Sequence, residues 1–365
     1  MNFIALRLDE HDSSVCYSNG TSVKYYKPER HFQVKHFGYN NYQGWYYACS
    51  HLGIDISKVD AIAIVIDVFK HPYLQKENPN KLYEIIDIPY KPFRDFKCPI
   101  YRVDHHYAHS LSSWMLTDTK NHAVLDGFGD LKRSISIFKK NKLEKSFTYD
   151  QIESFGRFMG KMGYLLGLEG HVEDLAGKVM ALQSFGLKDK RWEDQIKQLN
   201  IEQSSFVFDV NNYVKLFESE GVAKLNLINY LKTTHKFFEE KLPDFFKKYF
   251  KEDTLTYSGG VAHNVCVNTK LKNQFANIII PPHCADEGLT LGGIEFLRQH
   301  YDQPKFEVDN FPFWQTDIAP KRDASSKTIK SIAGDLANGE IIGWYQGHGE
   351  IGPRALGHRS ILMSP

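Results

Sequence analysis

His105 and His109, in the segment HHYAHS, stand four residues apart, so on a helix they share one face. Two imidazoles at that spacing can hold one divalent metal, although paired helical histidines are more often structural. A metal site also needs a carboxylate. Two carboxylates stand where a strand stops and a turn begins. Asp126 follows AVL and precedes Gly127 and Gly129, and Asp286 follows IIIPP and precedes LTLGGIEF. Either one alone reads equally well as an N-cap or turn residue. His106 lies on another face and is not expected to ligate. Two histidines with a carboxylate suit Fe²⁺, Mn²⁺ or Zn²⁺, with positions left open for substrate oxygens.

Three glycine turns, DGFGD, SGGVAHN and LAGKVM, stand at strand or helix ends. Glycine lets backbone N–H groups approach a phosphate, and a following helix N-terminus favours an anion. Singly each is a common turn; together they point to a nucleotide. No GxxxxGK[ST] sequence is present, which excludes a Walker-type loop. The segment HDSSVCYSNG puts His11, Asp12, Ser13 and Ser14 at a hairpin that could wrap a phosphate or leaving group. His11 is also the candidate general base, against the reading of an exposed histidine beside a capped turn. Near the end, GWYQGHGEIGPRALGHRSIL carries Arg354 and Arg359, whose forked donors suit a phosphate or carbamoyl group. The plainer reading is a structural loop with surface arginines.

The elements that must position these residues read as an α/β pattern stated twice. Phe3 to Leu8, Val15 to Tyr17 and Val23 to Tyr26 read as strands, with Asn19-Gly20 as a hairpin turn. A helix from about Tyr42 to Leu52, strands Ala61 to Ile66 and Pro99 to Val103, and a helix starting near His105 follow. The theme then recurs in strands Ala123 to Leu125, Ser134 to Phe138 and Ser146 to Tyr149. Each hairpin holds an Asp close to a turn, which suggests two related lobes. Glu153 to Phe250 reads as mostly helical, with a break expected at Pro243. Strands Leu255 to Tyr257 and Ile278 to Ile280 lead into SGGVAHN and PPHCADEG. Tyr301 to Pro320 has no periodicity and reads as a linker. A helix, Ser326 to Leu336, and a strand, Ile341 to Tyr345, come last.

The bulk numbers exclude several classes. The chain has 365 residues, 42% hydrophobic and 24% charged, as in ordinary globular proteins. A formal net charge of +1 offers no broad attraction to nucleic acid. Five cysteines without a CxxC pair argue against a disulfide scaffold or zinc ribbon. No secretory h-region or membrane-spanning apolar run is visible, so a cytoplasmic protein is expected.

Taken together, the motifs resemble the nodulation-type O-carbamoyltransferase family, which includes the tobramycin and cephalosporin carbamoyltransferases. HDSS, HHYAH, LDGFG, AGKVMALQSFG, SGGVAHNVCVN, ADEGLTLGG and GPRALGHRSIL occur in the family's order over essentially the whole chain. The resemblance implies a fold of duplicated RNase-H-like lobes of the actin and sugar-kinase (ASKHA) type over residues 1–310. It implies a linker and the beginning of a YrdC-like carbamoyl-AMP-forming domain over residues 311–365. It implies transfer of a carbamoyl group, from carbamoyl-AMP made from carbamoyl phosphate and ATP, to a hydroxyl of a small-molecule or nucleoside acceptor. By position His105, His109 and Asp286 match the family's metal ligands, expected to hold Fe²⁺, and Asp126 looks like a further one. Gly127, Gly129, Lys178, Gly259, Gly260 and Asn264 resemble nucleotide contacts. His11, with Asp12 beside it, resembles a residue near the acceptor hydroxyl. Arg354 and Arg359 fall in the carbamoyl-phosphate region.

The chain departs from the family at three points. His348-Gly349 stands where the family has Arg-Met, and His358 where it has Asn. The family also continues beyond residue 365, so either the gene is split, or this is a fragment, or the activation step is lost; a second polypeptide carrying the rest of the C-terminal domain is the preferred reading. The rival readings are a tRNA threonylcarbamoyl-type transferase, which lacks a GPRALG segment, and a sugar kinase, whose Mg²⁺ prefers oxygen ligands. A non-catalytic nucleotide-binding partner of a split carbamoyltransferase is the third.

Overall fold

The structure is a computed structural model that describes residues 1–8, 11–39, 44–66, 81–86, 96–219, 226–251, 254–314 and 324–365. The chain divides into two units. The first gathers Met1–Ile66, Leu82–Val103 and Asp286–Pro365, and the second is built on Asp104–Ala285.

In the first unit, β1 (Phe3–Arg7), β2 (Ser14–Ser18), β3 (Val23–Tyr26), β4 (Ala61–Val65), β5 (Tyr83–Ile85) and β6 (Ile100–Val103) form one sheet, ordered β3-β2-β1-β4-β6-β5. β1, β2 and β3 are antiparallel, while β4 runs parallel to β1 and β6 parallel to β4. β1 and β4 are buried along their whole length, which is why FIALR and AIAIV are nearly continuous apolar runs rather than alternating ones. Helix Leu289–His300 lies on this sheet. An added Cβ at Gly293 would stand 3.0 Å from the Ala5 Cβ and 3.4 Å from the Ala63 Cβ, so three small residues set that close approach.

In the second unit, β7 (His122–Leu125), β8 (Arg133–Lys139), β9 (Lys142–Thr148), β10 (Leu255–Ser258) and β11 (Ile278–Ile279) form a sheet ordered β11-β10-β7-β8-β9. β7, β8 and β9 are antiparallel, and β10 and β11 run parallel to β7. This repeats the topology of the first sheet, with β7 in the place of β1, β10 in that of β4 and β11 in that of β6. The duplicated RNase-H-like lobes expected from the sequence are present. Between β9 and β10 the chain is helical, with helices Phe155–Leu165, Val172–Leu182, Lys190–Ile196, Ser204–Phe208, Val210–Ser219 and Leu227–Phe250. Aromatic side chains hold this layer together; Phe155 and Phe238 stack with centroids 3.9 Å apart.

The sequence reading needs three corrections. Helix Leu227–Phe250 runs through Pro243 without a break. Pro243 is itself buried, and Leu242, Phe245 and Phe246 are buried around it, so core packing on both sides outweighs the lost backbone bond. β9 begins at Lys142 rather than Ser146. Strand β5 and the short helix Pro28–Phe32 were not anticipated, one being a three-residue, largely exposed edge and the other too short to show a period. The expected helix start at Tyr42 and part of the expected linker, 315–320, lie outside the described residues.

In the C-terminal segment, Ser325 caps helix Ser326–Ala337 by accepting from the Thr328 N–H. β12 (Ile342–Tyr345) and β13 (Arg359–Leu362) pair antiparallel. Among the described residues, no helix is long and apolar enough to cross a membrane.

His122, the first residue of β7, ties the second sheet together, with Nδ1 2.8 Å from Thr256 Oγ1 and Nε2 2.9 Å from Asn141 Oδ1. Burial pushes its pKa down to about 4. The unfolded chain therefore binds more protons than the folded one between the ordinary histidine pKa of ~6.5 and that value. Stability from His122 is complete above this window and is lost as pH falls through it. Denaturant titrations at pH 7 and pH 5 should differ by about 1–2 kcal/mol on this account, and His122→Gln should flatten the slope. An unchanged slope in the variant refutes the assignment.

Candidate metal centre

Helix His105–Leu111 follows β6 and opens on Asp104, whose side chain accepts from the Tyr107 N–H. The Arg133 guanidinium donates to the other Asp104 oxygen at 2.6 Å, which fixes the start of the helix against β8. His105 and His109 then face the end of β7. His105 Nε2 lies 3.1 Å from Asp126 Oδ2, His109 Nε2 lies 3.0 Å from the same oxygen, and the two nitrogens are 3.1 Å apart. His109 is fully buried and His105 nearly so. His106 turns away, as expected, to bond Ser136 at 2.7 Å, and burial holds its pKa well below the ordinary value.

Asp126 is aimed by its other oxygen. Oδ1 accepts the Gly127 N–H at 2.6 Å and the Gly260 N–H at 3.2 Å, while Ser154 Oγ donates to the Asp126 backbone carbonyl at 2.7 Å. Oδ2 is left facing the imidazoles. Two nitrogens and one oxygen at mutual distances near 3 Å are poorly served by protons, since a proton between one pair leaves the other pairs repelling. A dication serves all three at once. Ligand atoms ~2.1 Å from a metal and at right angles to each other are about 3 Å apart, which is the spacing here. His105, His109 and Asp126 therefore fit a divalent metal.

Asp286, the remaining expected ligand, belongs to the first unit, where Arg7 Nη2 donates to its Oδ2 at 2.9 Å. Also in that unit, Asp12 adopts a positive φ of 50°. It receives His11 Nδ1 at 3.3 Å, His36 Nδ1 at 3.0 Å and Lys27 Nζ at 3.2 Å. Burial alone would raise the Asp12 pKa, but the His11 and His36 hydrogen bonds and the Lys27 charge hold it well below the usual carboxylate range. His11 moves the other way. Burial lowers its pKa, but the hydrogen bond to Asp12 and the charge of Asp286 outweigh burial and raise it. Asp12, Glu29 and His36 also converge, yet Lys27 Nζ stands 3.2 Å from both carboxylates and supplies the positive charge itself. Ser13 and Ser14 are buried and structural; Ser13 accepts the Tyr39 N–H and Ser14 meets Thr290.

The glycine turns work differently from a phosphate cradle. The Gly127 and Gly260 N–H groups hold Asp126, the Gly129 N–H donates to the Arg133 carbonyl at 2.7 Å, and the Gly259 N–H donates to the Cys284 carbonyl at 2.7 Å. Their lack of side chains permits close approach: a Cβ at Gly129 would stand 2.5 Å from His106 Cδ2. Asn264 caps helix Val265–Gln274 by accepting the Val267 N–H, and its Nδ2 donates to His235 Nε2 at 2.9 Å. Lys178 is exposed on helix Val172–Leu182 and donates to the Glu169 carbonyl. Arg359 donates through Nε to Glu350 at 2.7 Å and through Nη2 to the Gly352 and Arg354 carbonyls, while Arg354 is exposed on the same loop.

The sequence reading missed Glu350. Its buried Oε1 accepts the N–H groups of Leu356, His358 and Arg359, so one carboxylate organises the whole GPRALGHR loop. Burial works against its charge, but the Arg359 bond and these backbone donors bring its pKa down to about 2. Lys27, His36 and Arg7 were missed too, because nothing in their spacing links them to Asp12 or Asp286.

Comparison with known proteins gives the arrangement a context. The full-length HypF in its phosphate- and nucleotide-bound form aligns with a TM-score of 0.50 at 13% identity, covering 84% of this chain and 56% of that one, which shows a shared fold. The protein MJ1051 of Methanocaldococcus jannaschii is 28% identical over 301 residues, 72% of this chain and 56% of that protein. The 3'-hydroxymethylcephem-O-carbamoyltransferase of Amycolatopsis lactamdurans is 31% identical over 119 residues, 30% of this chain and 23% of that enzyme. The chain spans about half the length of the first curated relatives it matches. Residues 4–294 match the family described as Carbamoyltransferase N-terminus and residues 333–365 the one described as Carbamoyltransferase C-terminus, and the chain belongs to the carbamoyltransferase family.

Proposed function

We propose that this protein transfers a carbamoyl group from carbamoyl-AMP to an alcohol, and that the two lobes within residues 1–310 make up the transfer module. The observation that carries the reading is the convergence of His105, His109 and Asp126 Oδ2 at 3.0–3.1 Å. These residues would hold Fe²⁺, or Mn²⁺ or Zn²⁺ in its place, and the metal when bound would supply Lewis-acid polarisation of a carbonyl and neutralise phosphate charge. In the transfer the acceptor oxygen forms a bond to the carbamoyl carbon. The bond from that carbon to the AMP oxygen breaks, AMP leaves with its electron pair, and the hydroxyl proton goes to a base. His11 is the side chain proposed for the proton, with Asp12 orienting it. Its raised pKa favours the protonated form near neutrality, so the rate should climb as pH rises through and above the ordinary histidine range.

Gly127, Gly129, Gly259 and Gly260 favour nucleotide binding by leaving room, since their N–H groups are engaged within the protein. Lys178 and Asn264 are the further residues proposed for that nucleotide. Arg354 is the better placed of the two arginines to meet carbamoyl phosphate, because Arg359 clamps the loop. Activation of carbamoyl phosphate with ATP is proposed for a YrdC-like domain that begins near residue 311. Helix Ser326–Ala337 buries none of its residues, and Ile329, Ile361 and Met363 are exposed by 52%, 79% and 65%. Such surface supports its being covered by more of this domain than residues 311–365 supply, and a second polypeptide carrying that part is the partner proposed.

The test offers the purified chain, loaded with each metal, either carbamoyl-AMP or carbamoyl phosphate with ATP, and measures AMP. Release of AMP from carbamoyl-AMP but not from the second mixture is expected of a transfer module. Metal and nucleotide binding with no AMP from either mixture would make the chain a non-catalytic partner.

A further inference from the structure

Helix Leu227–Phe250 carries a buried ionisable pair that neither the metal centre nor the proposed transfer step uses. His235 and Glu239 are both buried, in a layer filled largely by aromatic side chains; the Phe155 ring meets His235 edge-on. His235 Nδ1 donates to Glu239 Oε1 at 2.8 Å, and Lys236 Nζ donates to Glu239 Oε2. Burial works against the Glu239 charge, but the hydrogen bonds from His235 and Lys236 outweigh it and hold the pKa below the ordinary value. Apolar side chains of similar volume would fill this space without the cost of burying a charge.

The pair has a direction. An ionised carboxylate only accepts, so the imidazole places its proton on Nδ1 and leaves Nε2 as an acceptor. Asn264 Nδ2 donates to that nitrogen at 2.9 Å. The Asn264 oxygen then faces the other way, where it accepts the Val267 N–H at 3.1 Å and caps helix Val265–Gln274. The other tautomer would set an N–H against the Asn264 amino group. The amide would then turn its oxygen to His235 and the helix would lose its cap.

We propose that His235 and Glu239 are positioning residues, which fix the direction of the Asn264 amide and so hold the SGGVAHN turn in the form that takes the nucleotide. Lys236 completes the set by holding the second Glu239 oxygen. The inference rests on the reading of Asn264 as a nucleotide residue and adds the side chains that aim it.

Calorimetric titration of the metal-loaded chain with AMP tests it. In Glu239→Gln the amide keeps the shape of the carboxylate, but Lys236 holds its oxygen. The amino group therefore turns to His235 Nδ1, the ring proton moves to Nε2, and Asn264 Nδ2 meets a donor. AMP should bind about tenfold more weakly. Adding Lys236→Met frees that oxygen for His235, so the double variant should recover the wild-type affinity. A second pair asks the same of the ring: His235→Leu offers Asn264 no acceptor and should weaken AMP as much, whereas His235→Gln can accept and should not. Metal content should stay unchanged throughout, since the Gly127 N–H and Ser154 still hold Asp126. A role in packing alone would lower the melting temperature and leave AMP affinity as it was. Wild-type affinity in both Glu239→Gln and His235→Leu overturns the inference alone, as does a loss that neither Lys236→Met nor His235→Gln repairs. No AMP binding by the wild type overturns the nucleotide reading of Asn264, and this inference with it.

Discussion

His109→Ala should abolish metal binding and carbamoyl transfer together while leaving a folded protein. The His109 ring is fully buried, and its Nε2 is within 3.1 Å of both other donors of the second unit's centre. Removing it leaves one imidazole and one carboxylate oxygen there, and it opens a polar gap that water can enter. Losing one ligand of a small donor set lowers metal affinity by far more than the ~10–100-fold typical of changes around the ligands. Elemental analysis after dialysis should therefore fall from about one metal per chain to a small fraction, and AMP release from carbamoyl-AMP should fall at least about 100-fold. His109→Gln separates ligation from packing, because an amide fills much of the space but is a poor ligand. It should behave like the alanine variant in metal content and like the wild type in thermal stability. Full metal occupancy in either variant would end the assignment.

The parts of this centre that the sequence revealed are the local ones. His105 and His109 show themselves because a helix turns a spacing of four residues into one face. Asp126 shows itself because a strand end is followed at once by glycine. The sheets were legible for the same reason: β1, β4 and β7 are short apolar runs with turn residues after them. The repeated order of the two sheets was visible only faintly, as two Asp-bearing hairpins. What stayed hidden depends on pairs far apart in the chain. The Gly260 N–H that aims Asp126 is 134 residues away, and Arg133 reaches Asp104 across 29. Glu350 carries no local signal in the sequence, although it gathers three backbone donors. Pro243 misled because propensity is local, whereas the aromatic core around helix Leu227–Phe250 is not.

Gly259→Ala should unseat the centre without touching a ligand. Gly259 has φ of +92° and ψ of 161°, a region nearly closed to residues with a side chain. A Cβ there would fall 2.1 Å from the Leu125 carbonyl oxygen and 2.6 Å from its carbon. Both are backbone atoms of β7, so no flexible side chain can yield. Leu125 precedes Asp126 directly, and Gly260, the next residue after the substitution, donates to Asp126 Oδ1. The strain therefore moves Asp126 from both sides. Backbone strain costs about 1–3 kcal/mol, and displacement of a central strand adds to it, so a loss of at least about 3 kcal/mol is expected. Metal affinity should fall by about tenfold or more in whatever fraction stays folded. Gly177→Ala is the matched comparison. Gly177 belongs to LAGKVM, which reads in sequence as one more glycine turn, but it lies inside helix Val172–Leu182 with nothing within 4 Å of an added Cβ. That substitution should be neutral or stabilise by about 0.5–1 kcal/mol, as alanine does in a helix interior. Denaturant melts with metal analysis on both variants decide the matter. If Gly259→Ala kept wild-type stability and metal content, the close approach of β10 to the end of β7 would not be what holds Asp126 in place.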